Sequence, residues 1–258
     1  MNEDAFCARI TGATPLLLAT DFDGTIAEIV TDPDGARARD DALAALSKLA
    51  TSPGVHVAVV SGRTMESLHE RTSALVSIYR VAEHGAFLEA PDGSTLGATH
   101  VAPAATLDAL AGLASSHRAR VPGMRVERKT SSVAVHVREV APAGREAASE
   151  MLAAFRAAAL HAGLVVLEGR QVVEARDALA TKETALAFVL SRLPEGTCVV
   201  YAGDDTTDEG AIALARQRGG VGIYVASAER PTPKVEADLV LPDPRAWAEL
   251  LSRIATAR

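Results

Sequence analysis

Cysteine is scarce in this sequence of 258 residues, which contains only Cys7 and Cys198. Neither a disulfide framework nor a thiolate metal site is indicated by two such distant cysteines. Cys7 lies near the N-terminus, which we expect to be mobile, and Cys198 begins an apolar segment. We therefore expect neither thiol to contribute to function.

An excess of positive charge is also absent. The chain has 26 Lys and Arg residues against 33 Asp and Glu residues, which gives a formal net charge of -7. A surface of this sign does not attract nucleic acid or anionic membranes by general electrostatics, although a local basic pocket is compatible with it. We expect neither nucleic acid nor a membrane as a partner.

Long hydrophobic runs are missing as well. No apolar run approaches the roughly 18 residues of a membrane span, and residues 1–4 (MNED) lack the positive start of a signal peptide. The composition is nevertheless 48% hydrophobic, which is ample for a substantial core. We expect a cytoplasmic globular protein that forms either one large domain or a domain carrying an inserted partner.

What the sequence does contain is an apolar run that ends in two acids, LLLATDFDGT at residues 16–25. Open α/β sheets bind ligands beyond the carboxyl ends of their strands, so this run predicts a buried parallel strand with chemistry at its end. Asp21 could hold Mg2+ and attack phosphorus, forming an aspartyl-phosphate. Asp23 could protonate the leaving alcohol and later accept a proton from water. The alternative is an ordinary turn, because Asp and Gly are common in turns.

A second predicted strand, at residues 55–60, ends in Ser-Gly-Arg-Thr. A helix is predicted between the two strands, and a right-handed crossover would bring Ser61 beside Asp21. The Ser61 hydroxyl would then donate to a phosphoryl oxygen, and Thr64 would cap the next helix. Ser-Gly-Arg is also common in ordinary loops, so the motif alone does not distinguish a phosphate-binding segment from such a loop.

A third predicted strand, at residues 79–82, ends at Glu-His-Gly. No second histidine lies at a spacing typical of metal ligands, and a lone histidine at a strand end is more often structural. His84 is therefore a candidate for substrate contact only. Residues 87–94 then predict a hairpin.

From residue 104 onward the pattern predicts the element order αββαββ, which fits a small inserted α+β module. Within it, Glu127 and Lys129 share one face of a strand, as do Glu174 and Arg176. Rows of this kind are usually the solvated side of a sheet. In a module that covers an acidic site, they would instead hydrogen-bond sugar hydroxyls.

The core pattern resumes with a predicted helix that starts near Lys182. A cation at a helix N-terminus has the wrong sign for the macrodipole, which favours a role facing an anion such as a phosphoryl group. A functionless exposed lysine is the alternative.

A further buried strand, at residues 198–203, ends in the acids of GDDTTDE at residues 203–209. Acids are favourable at a helix N-terminus, which accounts for Asp208 and Glu209. The crowding of Asp204 and Asp205 at the strand tip instead predicts a divalent cation.

Together these segments resemble, in order, the four motifs of the haloacid dehalogenase superfamily of phosphatases. The similarity is closer to its trehalose-6-phosphate phosphatases, because it extends to further segments. These are residues 21–29, EHG at 83–85, ERK at 127–129, VEAR at 173–176 and ADLVL at 237–241. The resemblance implies an α/β fold, with a Rossmann-like parallel-sheet core at residues 1–103 and 177–258 and an inserted α+β cap domain at 104–176.

The resemblance also implies roles for individual residues. Asp21 would be the nucleophile and Asp23 the general acid and base, with Mg2+ held by Asp21, the backbone carbonyl of Asp23 and Asp204. Asp205 and Asp208 would support the metal site, and Ser61 and Lys182 would hold the phosphoryl group. In the cap, Glu127, Lys129 and Glu174 match positions that bind glucose hydroxyls in the family. Arg63 and His84 are the predicted substrate contacts in the core.

Two departures from the family pattern are Glu28, where proline is frequent, and Glu183, where glycine is usual. The predicted function is Mg2+-dependent hydrolysis of trehalose 6-phosphate by a monomer. The alternatives are a phosphatase for another glycosyl or pseudo-disaccharide phosphate and a sugar phosphomutase. A non-catalytic sugar-phosphate-binding protein is disfavoured, because every catalytic position is filled.

Overall fold

The computed structural model describes residues 1–30, 35–98, 100–169, 171–228 and 230–258. The chain divides into two compact units, of which the first comprises Met1–Gly97 and Thr181–Arg258 and the second comprises Ala98–Ala180. The second unit is thus an insertion into the first, and the predicted module bounds of 104 and 176 lie inside it. Within the described residues, every helix is too short or too polar to cross a membrane.

The chain contains twelve described strands and eight described α-helices. The strands are β1 (Leu16–Asp21), β2 (Val55–Val60), β3 (Tyr79–Ala82), β4 (Phe87–Glu89), β5 (Thr95–Ala98), β6 (Arg125–Arg128), β7 (Ser132–His136), β8 (Val165–Gly169), β9 (Val172–Arg176), β10 (Cys198–Gly203), β11 (Val221–Val225) and β12 (Leu239–Leu241). The helices are α1 (Glu3–Thr11), α2 (Asp40–Ala50), α3 (Met65–Arg71), α4 (Ala104–Ser115), α5 (Arg145–His161), α6 (Lys182–Ser191), α7 (Glu209–Gln217) and α8 (Pro244–Ala257).

The first unit is built on an eight-stranded sheet with the order β12-β11-β10-β1-β2-β3-β4-β5. Neighbouring strands from β12 to β3 pair in parallel, and β4 pairs antiparallel with β3. The predicted parallel α/β core is therefore confirmed. Strand β1 lies inside the sheet between β10 and β2, so its carboxyl end has a strand end on either side.

Side chains of β1 alternate between two hydrophobic cores. Leu16 and Leu18 pack in one core with α1, α2 and α8, whereas Leu17 and Ala19 pack in the other with α6 and α7. Because successive residues of a strand point to opposite faces, a strand covered by helices on both faces must be apolar throughout. This requirement explains the apolar run at residues 16–19, and the one polar residue between that run and Asp21 is Thr20, whose buried hydroxyl is hydrogen-bonded.

Local hydrogen bonds fix the starts of two helices near the site. The Thr64 hydroxyl accepts from the backbone N–H of Ser67 at the start of α3, as predicted. Thr181 caps α6 and forms a reciprocal capping box with Thr184. Lys182 is consequently the first residue of α6.

The expectation of a mobile N-terminus is wrong. Residues Glu3–Thr11 form α1, which Asn2 caps by accepting from the backbone N–H of Ala5. Phe6 and Ile10 are fully buried at the i,i+4 spacing, and the Phe6 ring lies 6.3 Å from that of Trp247 in α8. These two apolar residues pack α1 against the core, and ion pairs of Glu3 and Asp4 with Arg253 add to the contact with α8.

The second unit has a four-stranded antiparallel sheet with the order β6-β7-β9-β8. Valines of β7 and β9 pack with side chains of α4 and α5, including Leu107 and Phe155, in a core of their own. The helices and strands follow in the predicted order αββαββ.

Candidate active site

The sheet register brings three predicted site segments to the carboxyl end of β1. Asp21 lies opposite Val60 of β2, and Thr20 lies opposite Ala202 of β10. Ser61 and Asp204, which each follow these neighbouring strands, therefore flank Asp21. This convergence follows from the parallel pairing, since the carboxyl ends of parallel strands meet at one edge of the sheet.

Lys182 joins two carboxylates in the buried interior of the site. Its Nζ lies 2.6 Å from Asp21 Oδ1 and 2.8 Å from Asp208 Oδ1. All three side chains are buried. The position of Lys182 at the start of α6 is thus explained by the anions that it faces.

Burial and charge act in opposite directions on the pKa values of this group. Burial raises the pKa of Asp21 well above its usual range, the Lys182 ammonium opposes the rise, and Asp208 and Asp204 add to it. Burial alone would lower the pKa of Lys182, but Asp208 and Asp21 together raise the pKa above its ordinary value. The lysine therefore stays charged and balances part of the negative charge.

The carboxylates of Asp21, Asp204 and Asp208 form a buried acidic cluster whose ligand oxygens all lie within 4.8 Å of one another. Burial, and then the charge of Asp208, raise the pKa of Asp204 to about 7. The Lys182 ammonium hydrogen-bonds two of these groups, Asp21 and Asp208, and its single charge does not balance three carboxylates when all of them ionise. Hard oxygen donors in this number and spacing fit a divalent cation such as Mg2+.

Asp208 is held in place by several donors. Tyr201 Oη donates to Asp208 Oδ1 over 2.6 Å, and the backbone N–H of Asp205 donates to Asp208 Oδ2 over 3.1 Å. Sequence reasoning missed Tyr201, which lies in the apolar strand β10. The available signal was its hydroxyl, because a tyrosine in a buried strand needs a hydrogen-bond partner.

Asp205 lies outside the acidic cluster, although it was predicted to support the metal site. Its carboxylate accepts from the backbone N–H of Thr206 over 2.5 Å and pairs with Arg230. Asp205 thereby caps the single turn of 3-10 helix at Thr206–Asp208. The structure thus gives this carboxylate a local role in shaping the loop that carries Asp204 and Asp208.

Asp23 faces a different partner from Asp21. Arg63 donates from Nε to Asp23 Oδ2 over 2.8 Å and from Nη2 to Asp23 Oδ1 over 2.6 Å. The Asp23 side chain remains 41% exposed, whereas that of Arg63 is 11% exposed. Asp23, the predicted acid and base, is therefore partly open to solvent, and the less exposed Arg63 side chain holds its carboxylate in place.

The predicted residues Ser61 and His84 are joined through the backbone. His84 N–H donates to the Ser61 carbonyl over 2.9 Å, and the Ser61 hydroxyl accepts from the Arg63 N–H over 3.2 Å. The His84 ring lies over Gly62, where an added Cβ would come within 2.4 Å of Nε2. Glycine at 62 is therefore required for this arrangement.

The predicted substrate contacts of the second unit form a polar row on one face of its sheet. Glu127 and Glu174 both lie opposite Ala134 in the register. Lys129 Nζ lies 3.2 Å from Glu174 Oε1, and each of these side chains is 13% exposed. His136 hydrogen-bonds Glu127 and holds the pKa of that carboxyl below its usual value. The Lys129–Glu174 pair is therefore largely buried, unlike an ordinary solvated row.

Solved structures of other proteins have the same fold as this chain. A trehalose-6-phosphate phosphatase C-terminal domain from Candida albicans aligns with a TM-score of 0.83 at 20% identity, over 99% of this chain and 97% of that one. A phosphatase of the haloalkanoate (HAD) enzyme superfamily from Bacteroides thetaiotaomicron aligns with a TM-score of 0.62 at 18% identity, over 92% and 93% of the two chains. The fold is therefore that of the haloacid dehalogenase class.

Sequence comparison then specifies the family. The family model for trehalose-phosphatase matches residues 19–245, and the chain belongs to that family. It is 37% identical to the trehalose-phosphate phosphatase of Mycobacterium marinum over 247 residues, which is 92% of this chain. It is likewise 37% identical to that of Mycobacterium tuberculosis over 246 residues, or 91% of this chain. The chain spans about 60% of the length of these curated relatives.

Proposed function

We propose that the protein hydrolyses trehalose 6-phosphate to trehalose and phosphate in a Mg2+-dependent reaction through an aspartyl-phosphate. The observation that carries the proposal is the buried contact of Asp21 with Lys182 beside two further carboxylates, with the partly exposed Asp23 two residues along the chain. This arrangement separates a buried nucleophile, paired with a lysine, from a more exposed carboxyl group that can act as the acid. Membership of the trehalose-phosphatase family supports the choice of substrate.

In the first step, an Asp21 carboxylate oxygen forms a bond to phosphorus while the bond from phosphorus to the sugar oxygen breaks. The electron pair of that bond stays on the sugar oxygen, which takes the proton of the Asp23 carboxyl group. Lys182 and Ser61 hold the phosphoryl oxygens during transfer.

In the second step, a water oxygen attacks phosphorus and Asp23 accepts a proton from that water. The bond between phosphorus and the Asp21 oxygen breaks, which releases phosphate and restores the carboxylate. Asp23 again carries a proton and is ready for the next leaving group.

Asp21, Asp204 and the backbone carbonyl of Asp23 would hold Mg2+, supported by Asp208. The ion would neutralise the phosphoryl oxygens as charge moves between nucleophile and leaving group. Among the remaining predicted residues, Glu127, Lys129 and Glu174 of the inserted unit are assigned to sugar hydroxyls. Their carboxylate and ammonium groups offer both acceptors and donors to hydroxyl groups.

The test is phosphate release from trehalose 6-phosphate, glucose 6-phosphate, sucrose 6-phosphate and p-nitrophenyl phosphate, with Mg2+ and with a chelator. We expect chelator-sensitive turnover that strongly prefers trehalose 6-phosphate. Asp21→Asn should abolish turnover while its thermal unfolding still shows a cooperative fold.

Chelator-sensitive turnover of the aryl ester alone would support a metal-dependent phosphatase but contradict trehalose 6-phosphate as its substrate. An active Asp21→Asn protein would reject the nucleophile, and transfer of phosphate to a second sugar position would indicate a mutase.

A further inference from the structure

The side chain of Arg63 is fixed more firmly than that of its partner Asp23. Its guanidinium donates through two nitrogens to the two oxygens of Asp23, at 2.8 and 2.6 Å. The same guanidinium lies 5.5 Å from the centroid of the fully buried Phe22 ring, within the range of a cation–π contact. The planar fork is therefore held between an aromatic face and a carboxylate.

The backbone of Arg63 is tied down on both sides. Its N–H donates to the Ser61 hydroxyl over 3.2 Å, and its carbonyl accepts from the Glu83 N–H over 2.8 Å. These contacts connect the residue to the ends of β2 and β3. Arg63 is thus a fixed support against which the more exposed Asp23 side chain is oriented.

We infer that Arg63 is a positioning residue that orients the Asp23 carboxyl group for proton transfer to the leaving sugar oxygen. The inference rests on the proposed function and goes beyond it, because the sequence placed Arg63 among the substrate contacts. Two parallel hydrogen bonds fix both the distance and the plane of a carboxylate, which a single point charge does not do. During proton transfer, one Asp23 oxygen must turn from the Arg63 guanidinium to the leaving sugar oxygen. Arg63 itself does not transfer the proton, and it therefore acts through Asp23.

The inference predicts that the effect of replacing Arg63 on activity depends on the leaving group of the substrate. The alcohol leaving from a sugar phosphate needs a proton in the transition state, whereas p-nitrophenolate departs without one. A residue that orients the proton donor therefore affects the sugar ester and spares the aryl ester. A residue that grips the phosphoryl group affects both, because that group is common to the two substrates.

The experiment compares kcat/KM for trehalose 6-phosphate and p-nitrophenyl phosphate in wild type, Arg63→Gln and Arg63→Lys. We expect Arg63→Gln to lose roughly 30- to 100-fold on the sugar ester and less than about threefold on the aryl ester, near the lower end of typical acid–base effects. Arg63→Lys keeps the charge but loses the fork, and should recover part of the loss. Equal losses on both substrates would overturn the inference.

The second arm is a double-mutant cycle with Asp23→Asn. If Arg63 acts through Asp23, adding Arg63→Gln to Asp23→Asn causes no further loss on trehalose 6-phosphate. Independent, multiplying losses would show that Arg63 acts elsewhere and overturn the inference.

The matched control is Arg39→Gln, which removes another arginine that donates through two nitrogens to one carboxylate. Arg39 donates from Nε and Nη2 to Asp41 at 3.1 and 2.9 Å beside the start of α2. It should leave both activities unchanged, and a selective loss of sugar-ester activity here would count against the inference. Failure of the proposed function appears separately, as a wild type without trehalose 6-phosphate turnover.

Discussion

Trp247 Nε1 donates a 3.1 Å hydrogen bond to Thr20 Oγ1, one residue before Asp21 in β1. Both side chains are fully buried, and the Thr20 hydroxyl in turn donates to the Asp21 carbonyl over 3.0 Å. The C-terminal helix α8 is therefore bonded to the strand that carries the proposed nucleophile.

Trp247→Phe should lower the free energy of unfolding by about 1 to 3 kcal/mol, because it leaves a buried hydroxyl without its donor. Trp247→Ala should cost about 3 to 5 kcal/mol, since it also opens a cavity. Urea unfolding measures both. The double variant Trp247→Phe with Thr20→Val removes donor and acceptor together and should be less destabilised than the sum of the single variants. Strict additivity would mean that the bond contributes nothing specific.

Tyr201→Phe should preserve the fold and lower kcat about tenfold, because Asp208 loses the donor that lies 2.6 Å from its Oδ1. A charged acceptor bond of this kind typically contributes about 1.5 to 3 kcal/mol. Steady-state kinetics on trehalose 6-phosphate gives the effect on kcat. The control is Tyr79→Phe, a tyrosine of β3 in the same hydrophobic core. Matching losses in the two variants would assign the effect to packing.

Gly24→Ala should abolish Mg2+-dependent thermal stabilisation and turnover. A Cβ at this position would lie 2.1 Å from Asp204 Oδ2, and φ is +80°. Gly93 has the same φ but nothing within 4 Å of an added Cβ, so Gly93→Ala carries the backbone cost alone. The difference between the variants isolates the contact with Asp204. Thermal unfolding with and without Mg2+ measures it, and an equal Mg2+ response would contradict the prediction.

The metal-free protein should lose stability as the pH rises from about 4 to 7. The pKa of Asp204 is raised from 3.8 to about 7 on folding, so the folded state binds the extra proton in this window. Stability is then fully present below the unfolded pKa and falls by at most about 1.4 kcal/mol per pH unit.

Urea unfolding in chelator at pH 5, 6 and 7.5 measures this slope. Asp204→Asn should make the slope shallower, because one of the two carboxyl groups whose pKa is raised is gone and Asp21 remains. Saturating Mg2+ should also flatten or reverse it, since the ion binds the ionised carboxylate of the folded state. A wild-type slope that matches Asp204→Asn would rule out Asp204 as the source.

The sequence was sufficient to predict the parallel core and the strand ends that meet at Asp21. Apolar runs ending in Asp21, Ser61 and Asp204 are strong signals, because a strand buried on both faces leaves little choice of residue. The position of Lys182 was also informative, since its charge opposes the helix dipole and requires an anion nearby.

Contacts made between loops were beyond prediction from the sequence. The Arg63 fork on Asp23 depends on side-chain conformations of two residues far apart in the chain. The hydroxyl of Tyr201 could not be paired with Asp208 before the loop geometry was known. Helix α1 was missed because its apolar pattern consists of only two buried residues, whose partner in α8 lies at the other end of the sequence.

The insertion also determines the order in which the core can be completed during synthesis. Residues 16–21 pair with 55–60 early in the chain, whereas the other edge of β1 pairs with residues 198–202. That apolar edge therefore has no strand partner until the inserted unit has been made. An unpaired, hydrophobic strand edge is prone to association with other chains. This edge of β1 consequently lacks its partner throughout the translation of Ala98–Ala180 and until β10 has been made.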